Sequence, residues 1–90
     1  MSAVYSAIPD QLDHLGRSMR NQIEVINGVI STVNGALAST TWTGPARDQF
    51  ESDWNGTFRS ALQRLIEAFD QAGQACISRA ADLQQVLGAH

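Results

Sequence analysis

The apolar residues in the first half of the chain recur at intervals of three and four positions. This spacing places them on one face of an α-helix. Val25 and Val29 lie beside that face and widen it, and polar residues occupy the other faces. We therefore predict a first helix from about residue 7 to about residue 40. Its apolar face consists of Ile8, Leu12, Leu15, Met19, Ile23, Ile26, Ile30, Val33 and Leu37.

The first half also contains one signal for a different structure. Asn34-Gly35 lies close to β-branched residues, and this dipeptide is typical of a two-residue turn in a β-hairpin. The flanking apolar residues keep the helical period and do not alternate, however, which favours a continuous helix.

The second half of the chain shows the same helical spacing. We predict a second helix from about residue 46 to about residue 87, followed by a stop at Gly88. Gly56 lies opposite the apolar face and Gly73 at its margin, and we expect both to lower helix stability without interrupting the pattern. Ile66 lies on one shoulder of the face. The face itself consists of Phe50, Trp54, Phe58, Leu62, Leu65, Phe69, Ala72, Cys76, Ala80, Leu83 and Leu87.

The residues Trp42-Thr43-Gly44-Pro45 separate the two predicted helices. Glycine can adopt the positive φ that ends a helix, and proline suits the first turn of the next helix because its missing N–H would have no partner there. We therefore expect a turn over about residues 41–45, built on Trp42, Gly44 and Pro45. The ring of Trp42 is expected to fill the end of the space between the two helices.

These elements predict an all-α fold in which residues 1–90 form one hairpin of two long antiparallel helices. Two helices that touch along a single seam bury only a narrow strip of each. The apolar arcs here are wider, about 120° or more, so a lone hairpin would expose large apolar side chains. We expect two hairpins to pair into a four-helix bundle. The predicted partner interface comprises Ile23, Ile26, Ile30, Val33, Phe50, Trp54, Phe58, Leu62, Leu65 and Phe69.

Composition limits the classes of function. The chain has six arginines, no lysine and a net charge of −3, and an acidic chain without a basic stripe argues against nucleic acid as a partner. Its single cysteine permits no internal disulfide. The sequence has no run of about 20 apolar residues that would span a bilayer. Residues 1–10 show no cleavable signal peptide.

The residues that catalysis or metal binding would require are isolated in the sequence. His14 stands alone in the first helix and His90 is terminal in the printed sequence, so we expect no metal site. Cys76 is expected to pack as a small hydrophobe, the alternative being a reactive thiol. Arg79 lies near the apolar face, where it either pairs with an acid of a partner or extends to solvent. No catalytic triad or phosphate-binding loop is apparent, and we expect a non-enzymatic protein without a cofactor.

Several features of the chain form a recognisable combination. A Trp-x-Gly motif, Trp42-x-Gly44, separates two helical segments in a chain of 90 residues. A small residue follows at Ala46. The chain thereby resembles the WXG family of small helical-hairpin substrates of the type VII (early secretory antigenic target) secretion system of actinobacteria and other Gram-positive-type bacteria. The aromatic residues that strengthen the resemblance are Phe50, Trp54 and Phe58.

This resemblance implies export without a cleavable signal, as a folded dimer recognised by the membrane ATPase of the secretion system. The protein would then be secreted and would act as a binding or carrier partner or as an effector. Many complexes of the family carry Tyr-x-x-x-Asp/Glu after the second helix of one partner, whereas here the only tyrosine is Tyr5 and Ser78 stands four residues before Asp82. A heterodimer with a paralogous WXG protein that supplies the signal is therefore favoured, and a homodimer is the alternative.

Two other functions are compatible with the sequence. Amphipathic helices released from a dimer would act on membranes, although interfacial helices usually carry Lys or Arg opposite the apolar side and such a basic face is missing here. A structural helical adaptor inside the cell is the second alternative. A DNA-binding helix-turn-helix fits poorly, because the predicted helices are too long and the chain is acidic.

Overall fold

The computed structural model describes residues 8–88, which form two long antiparallel helical segments joined by a turn. The first segment is helix α1, Pro9–Ser39. The second segment begins with α2, Pro45–Asp53, continues through a π-helical turn, Trp54–Phe58, and ends with α3, Arg59–Gly88. No strand is present among the residues described. The prediction of an all-α helical hairpin is confirmed.

The helices begin and end within two residues of their predicted bounds. The first helix was expected over residues 7–40 and extends over Pro9–Ser39, with residue 7 outside the described part of the chain. The second was expected over residues 46–87 and extends from Pro45 to Gly88. Asn34-Gly35 lies within α1, so the alternative of a β-hairpin there is wrong.

The turn between the segments depends on the conformation of Gly44. Its φ of 111° and ψ of 179° fall in a region that is open to glycine and strained for other residues. Pro45 follows in the first turn of α2, where its missing N–H leaves no donor unsatisfied. The Arg47 side chain donates a hydrogen bond of 2.9 Å to the carbonyl oxygen of Trp42 and so holds the turn against α2.

The two segments pack along a seam whose positions alternate between steps of three and four. This is the spacing of a coiled-coil seam. Leu15 and Leu65, both expected on the apolar faces, are 47% and 43% exposed. The neighbouring residues Gly16 and Ile66 take their places in the seam. The seam positions are Leu12, Gly16, Met19, Ile23, Ile26, Ile30, Val33 and Leu37 on α1, and Leu62, Ile66, Phe69, Gly73, Cys76, Ala80 and Leu83 on α3.

Gly16 and Gly73 explain why the seam runs through these positions. A Cβ atom on Gly16 would lie 2.6 Å from the carbonyl oxygen of Gly73, and one on Gly73 would lie 2.8 Å from the carbonyl oxygen of Gly16. The two backbones therefore approach too closely for a side chain at either position. Gly73 was expected at the margin of the apolar face and instead lies in the seam, where it allows the two helices to touch.

A π-helical turn joins α2 to α3 and directs Trp54 into the seam. The aromatic residues Phe50, Trp54 and Phe58 recur in steps of four, and each such step advances about 40° beyond a full turn of an α-helix. A π-helical turn accommodates an additional residue and so offsets this drift. Trp54 is consequently 6% exposed and packs with Ile26 and Ile30. The predicted continuous α-helix over residues 46–87 is corrected to two α-helices joined by this turn.

Among residues 8–88, no helix contains a stretch that is both long and apolar enough to cross a bilayer.

Candidate interaction surface

One side of the hairpin carries polar contacts between its two helical segments. The Arg20 guanidinium lies 3.5 Å from the Asp70 carboxylate, and the Trp54 indole N–H donates a hydrogen bond of 2.7 Å to Oδ1 of Asn34. Arg20 and Asn34 are separated by a multiple of seven residues and therefore lie on the same side of the seam. We call this the polar side. Its lines of residues are Arg20, Asn27 and Asn34 on α1, and Gln63, Asp70, Ile77 and Gln84 on α3.

Two further ion pairs join residues one turn apart within a helix. The Arg17 side chain lies 2.8 Å from the Asp13 carboxylate, and the Arg47 side chain lies 3.1 Å from the Glu51 carboxylate. The hydrogen bond to Asp13, and then the charge of Asp13, raise the pKa of the exposed Arg17 guanidinium above its ordinary value. Such pairs within one helix contribute little to stability and do not link the two segments.

The other side of the seam is mostly apolar. On each helix, the residues that immediately precede the seam residues form a second line along the helix. This second line has the same steps of three and four. Since the polar lines of α1 and α3 share one side of the hairpin, these second lines share the opposite side. We call this side the apolar face. It comprises Leu15, Ser18, Gln22, Val25, Val29, Thr32 and Ala36 on α1, and Phe58, Ala61, Leu65, Ala68, Ala72, Ala75 and Arg79 on α3.

The large side chains of the apolar face are exposed in the single hairpin. Val25 is 58% exposed, and Val29, Phe58 and Leu65 are also exposed. Residues 25–46 include no charged residue, so the half of α1 nearest the turn is uncharged on every face. Contiguous apolar surfaces of this kind mark binding sites on soluble proteins.

The apolar face continues into a groove beside the turn. The rings of Trp42 and Phe50 form one wall, with their centroids 6.0 Å apart and their planes tilted by 40°. Thr32 and Ala36 of the apolar face also line the groove. The groove has a volume of about 300 Å³. Its other lining residues are Val33, Leu37 and Thr40.

The turn motif residues occupy different environments. Gly44 supplies the unusual backbone conformation and Pro45 begins α2. Trp42 is 38% exposed and contacts Phe50, so it does not fill the space between the helices as expected. Trp54 fills that space instead, because the π-helical turn directs it into the seam.

The residues of the predicted partner interface divide between the seam and the surface. Seven of them belong to the packing within one hairpin, and Phe50, Phe58 and Leu65 are exposed. The partner interface itself stays a prediction, since the structure contains a single chain. The seven residues in the hairpin are Ile23, Ile26, Ile30, Val33, Trp54, Leu62 and Phe69.

The side chains considered for catalysis or metal binding lie at separate positions of the hairpin. His14 is exposed, and its Nε2 lies 3.5 Å from the Ser18 hydroxyl. Cys76 is half-buried in the seam. Within residues 8–88, no group of three side chains is arranged to hold a metal ion. His90 lies outside the described residues.

Three features of the hairpin were not predicted from the sequence. Gly16 was not assigned to the seam, because a glycine carries no apolar signal. Asn34 was considered only as part of a turn signal, although it accepts the Trp54 hydrogen bond. The pairing of Arg20 with Asp70 was also missed. The steps of four that begin at Phe50 were the available signal for the π-helical turn. In an uninterrupted α-helix, residues spaced by four rotate steadily away from a single face.

The chain was compared with protein-family models, with curated proteins and with solved structures, and none of the three comparisons gave a match.

Proposed function

We propose that this chain is a non-enzymatic interaction protein whose apolar face pairs with a second helical hairpin. The observation that carries this proposal is the one-residue offset between the seam and the apolar face on both helices. One residue corresponds to about 100° around an α-helix, close to the right angle between the two neighbours that each helix contacts in a four-helix bundle. Each helix thus offers one seam to its own hairpin and a second seam to a partner.

The driving force of this pairing is the burial of apolar surface, at about 25 cal/mol per Å². Val25, Phe58 and Leu65 are exposed in the single hairpin and would be covered in the bundle. The polar side, with its Arg20–Asp70 pair, would face solvent. The contrast between the two sides supports a single preferred docking face.

We further propose that the dimer is a substrate of a type VII secretion system. Support comes from the Trp42-x-Gly44 motif, which lies in the turn between two helical segments, as the resemblance to the WXG family implies. The folded dimer would be recognised by the membrane ATPase of that system and would act outside the cell as a binding or carrier partner or as an effector.

The pairing is tested with two matched glutamate substitutions on α3. Ala68 belongs to the apolar face, whereas Ala81 is exposed and lies outside both the face and the seam. We expect the wild-type chain and Ala81→Glu to show twice the chain mass by light scattering after size exclusion, alone or with a co-encoded hairpin partner. Ala68→Glu should shift the population to the monomer, because it buries a charge in the interface. A wild-type chain that melts cooperatively as a monomer under both conditions would overturn the proposal.

Export is tested by measuring the ratio of secreted to cell-bound protein in the native host, with and without the secretion ATPase. We expect secretion in the first strain and retention in the second. Retention in both strains would favour the intracellular adaptor. Leakage of anionic liposomes caused by the purified protein would favour the membrane-acting effector. Either result would contradict the carrier function without affecting the test of pairing.

A further inference from the structure

We infer that Asn55 is a modification site, which deamidates spontaneously through attack of the backbone nitrogen of Gly56 on its side chain. The products are aspartate and isoaspartate at position 55, within the π-helical turn. This inference concerns the chemistry of a single chain and does not depend on the proposed pairing through the apolar face.

The sequence offers three candidate sites for this reaction. Three of the four asparagines of the chain precede a glycine, in Asn27-Gly28, Asn34-Gly35 and Asn55-Gly56. A glycine has no Cβ, so its backbone nitrogen can approach the preceding side chain closely. The two reacting groups belong to neighbouring residues, and such proximity strongly accelerates a reaction.

The reaction needs water and no other reactant. The nitrogen of Gly56 loses its proton to the solvent and forms a bond to Cγ of Asn55, and the side-chain nitrogen leaves as ammonia. The product is a cyclic succinimide. Water then breaks one of the two ring bonds to nitrogen. Breaking the bond to Cγ gives aspartate, and breaking the bond to the backbone carbonyl carbon gives isoaspartate.

The backbone hydrogen bonds separate the three candidates. In the two pairs of α1, the N–H of the glycine belongs to a regular helix and is bonded to the carbonyl oxygen four residues earlier. Asn55 lies in the π-helical turn, where the N–H of Arg59 bonds to the carbonyl oxygen of Trp54, five residues earlier. Residues 55–57, Asn-Gly-Thr, are exposed and are poor helix formers. Opening the backbone at Asn55 therefore costs less than opening it within α1.

The side-chain contacts favour the same site. Oδ1 of Asn34 accepts a hydrogen bond of 2.7 Å from the indole of the buried Trp54, which holds this amide in place. Oδ1 of Asn55 accepts only a long bond of 3.4 Å from the guanidinium of Arg59, at the surface. Negative charge develops on this oxygen when the glycine nitrogen attacks, and a neighbouring cation stabilises such charge. Asn27 has no comparable cation among the side-chain contacts of residues 8–88.

Water reaches Asn55 in the proposed assembly as well. Asn55 and Gln63 line the same depression, which has a volume of about 470 Å³. Gln63 belongs to the polar side, which faces solvent when the apolar face is covered. The water that opens the succinimide ring is therefore available in the single hairpin and in a dimer.

The two products should differ in their effect on the hairpin. Aspartate adds a negative charge beside Arg59 and leaves the backbone unchanged. Isoaspartate adds a methylene group to the backbone directly after Trp54, which packs with Ile26 and Ile30. We expect this insertion to disturb the π-helical turn and to loosen the packing of Trp54, so that deamidation lowers the stability of an ageing chain.

Ageing of the purified chain in mildly alkaline buffer, followed by trypsin and tandem mass spectrometry, tests the site. Cleavage after arginine releases Asp48–Arg59, in which Asn55 is the sole asparagine, whereas Asn27 and Asn34 fall in residues 21–47. We expect Asn55 to react about tenfold faster than either, a factor that corresponds to about 1.4 kcal/mol in activation free energy. Equal rates at the three sites, or a faster reaction at Asn34, would overturn the inference.

The same experiment in guanidinium chloride shows whether the structure selects the site. The three Asn-Gly pairs should react at similar rates in the unfolded chain. A preference for Asn55 that persists there would contradict the role of the π-helical turn. Gly56→Ala should nearly abolish the reaction, whereas the matched Gly28→Ala should leave Asn55 as reactive as in the wild type. A Cβ at either glycine meets no atom within 4 Å, so both variants should fold.

The role of the cation is tested with a second matched pair. Arg59→Gln should slow the reaction at Asn55 about threefold, as the loss of an exposed charge contact predicts. Arg64→Gln is the control, because Arg64 lines the same depression without a hydrogen bond to Asn55. An equal effect of the two substitutions would mean that Arg59 has no specific part in the reaction.

The consequence for stability is measured on the aged chain after its isoaspartate form is separated by ion exchange. We expect its melting temperature to fall by about 4–8 °C. Asn55→Asp, which adds the charge without the methylene group, should melt close to the wild type. An unchanged melting temperature of the isoaspartate form would overturn the expected effect on Trp54. None of these outcomes bears on whether two hairpins pair, so they are distinct from the test of the proposed function.

Discussion

Trp42 and Trp54 each precede a glycine by two residues, yet their environments differ. Trp54 is 6% exposed, packs with Ile26 and Ile30, and donates its indole N–H to Asn34. Trp42 is 38% exposed and contacts Phe50 at the wall of a groove. The first tryptophan along the chain lies in an irregular turn, and the second lies in a helix that directs it into the seam. The Trp-x-Gly motif alone therefore does not locate a turn, and burial decides which ring stabilises the hairpin.

The largest difference between the two tryptophans should appear on truncation. Trp54→Ala should lower the free energy of unfolding by about 3–5 kcal/mol, because it removes a buried ring and leaves a cavity between the helices. That is a large share of the stability of a small domain. Urea unfolding followed by circular dichroism, at one fixed protein concentration, measures the loss.

The control is Trp54→Phe, which keeps most of the apolar ring and should cost less. Fixed concentration matters because dimerisation adds to the apparent stability. If Trp54→Ala and Trp42→Ala lowered the stability equally, the contrast between the two rings would be lost.

The hairpin could be predicted from the sequence because its largest signals are periodic or local. Steps of three and four gave the two helices, and Gly44-Pro45 gave the turn between them. The position of the seam was harder to predict, because Leu15 carries an apolar signal and Gly16 does not. The close contact of Gly16 with Gly73 and the exposure of Leu15 show which of the neighbouring lines faces the other helix.

The candidate surface was predictable only in outline, for the same reason. The excess width of the apolar arcs indicated a partner. Seven of the ten predicted interface residues, however, pack within the hairpin. A sequence periodicity does not distinguish a seam within the chain from a second seam offset by one residue. That distinction required the polar contacts, such as Arg20 with Asp70, which identify the opposite side.

A smaller effect is expected for the hydrogen bond that only one tryptophan makes. Asn34→Ala removes the acceptor of the Trp54 indole N–H and leaves that donor buried, which costs about 1–3 kcal/mol. The higher helix propensity of alanine offsets part of this loss. Asn27→Ala is the matched control, because Asn27 is exposed one heptad earlier on the same side and should show only the gain in propensity.

A double-mutant cycle separates the hydrogen bond from the rest of the substitution. In a Trp54→Phe background the indole N–H is absent, so Asn34→Ala should then cost nothing. Chemical unfolding of the four variants measures the coupling. An equal cost of Asn34→Ala in both backgrounds would mean that the asparagine stabilises α1 by another contact.

The smallest effect on stability is expected for Trp42→Ala. This ring is more than one-third exposed and its main contact is Phe50, so its loss should cost only about 1–2 kcal/mol. The same substitution opens one wall of the groove beside the turn, and we expect the ratio of secreted to cell-bound protein to fall while the hairpin stays folded. Phe50→Leu, which keeps an apolar wall, should leave export close to that of the wild type. Normal export of a folded Trp42→Ala chain would mean that the turn motif serves the hairpin alone, whereas a loss of stability as large as that of Trp54→Ala would mean that Trp42 is buried in the dimer.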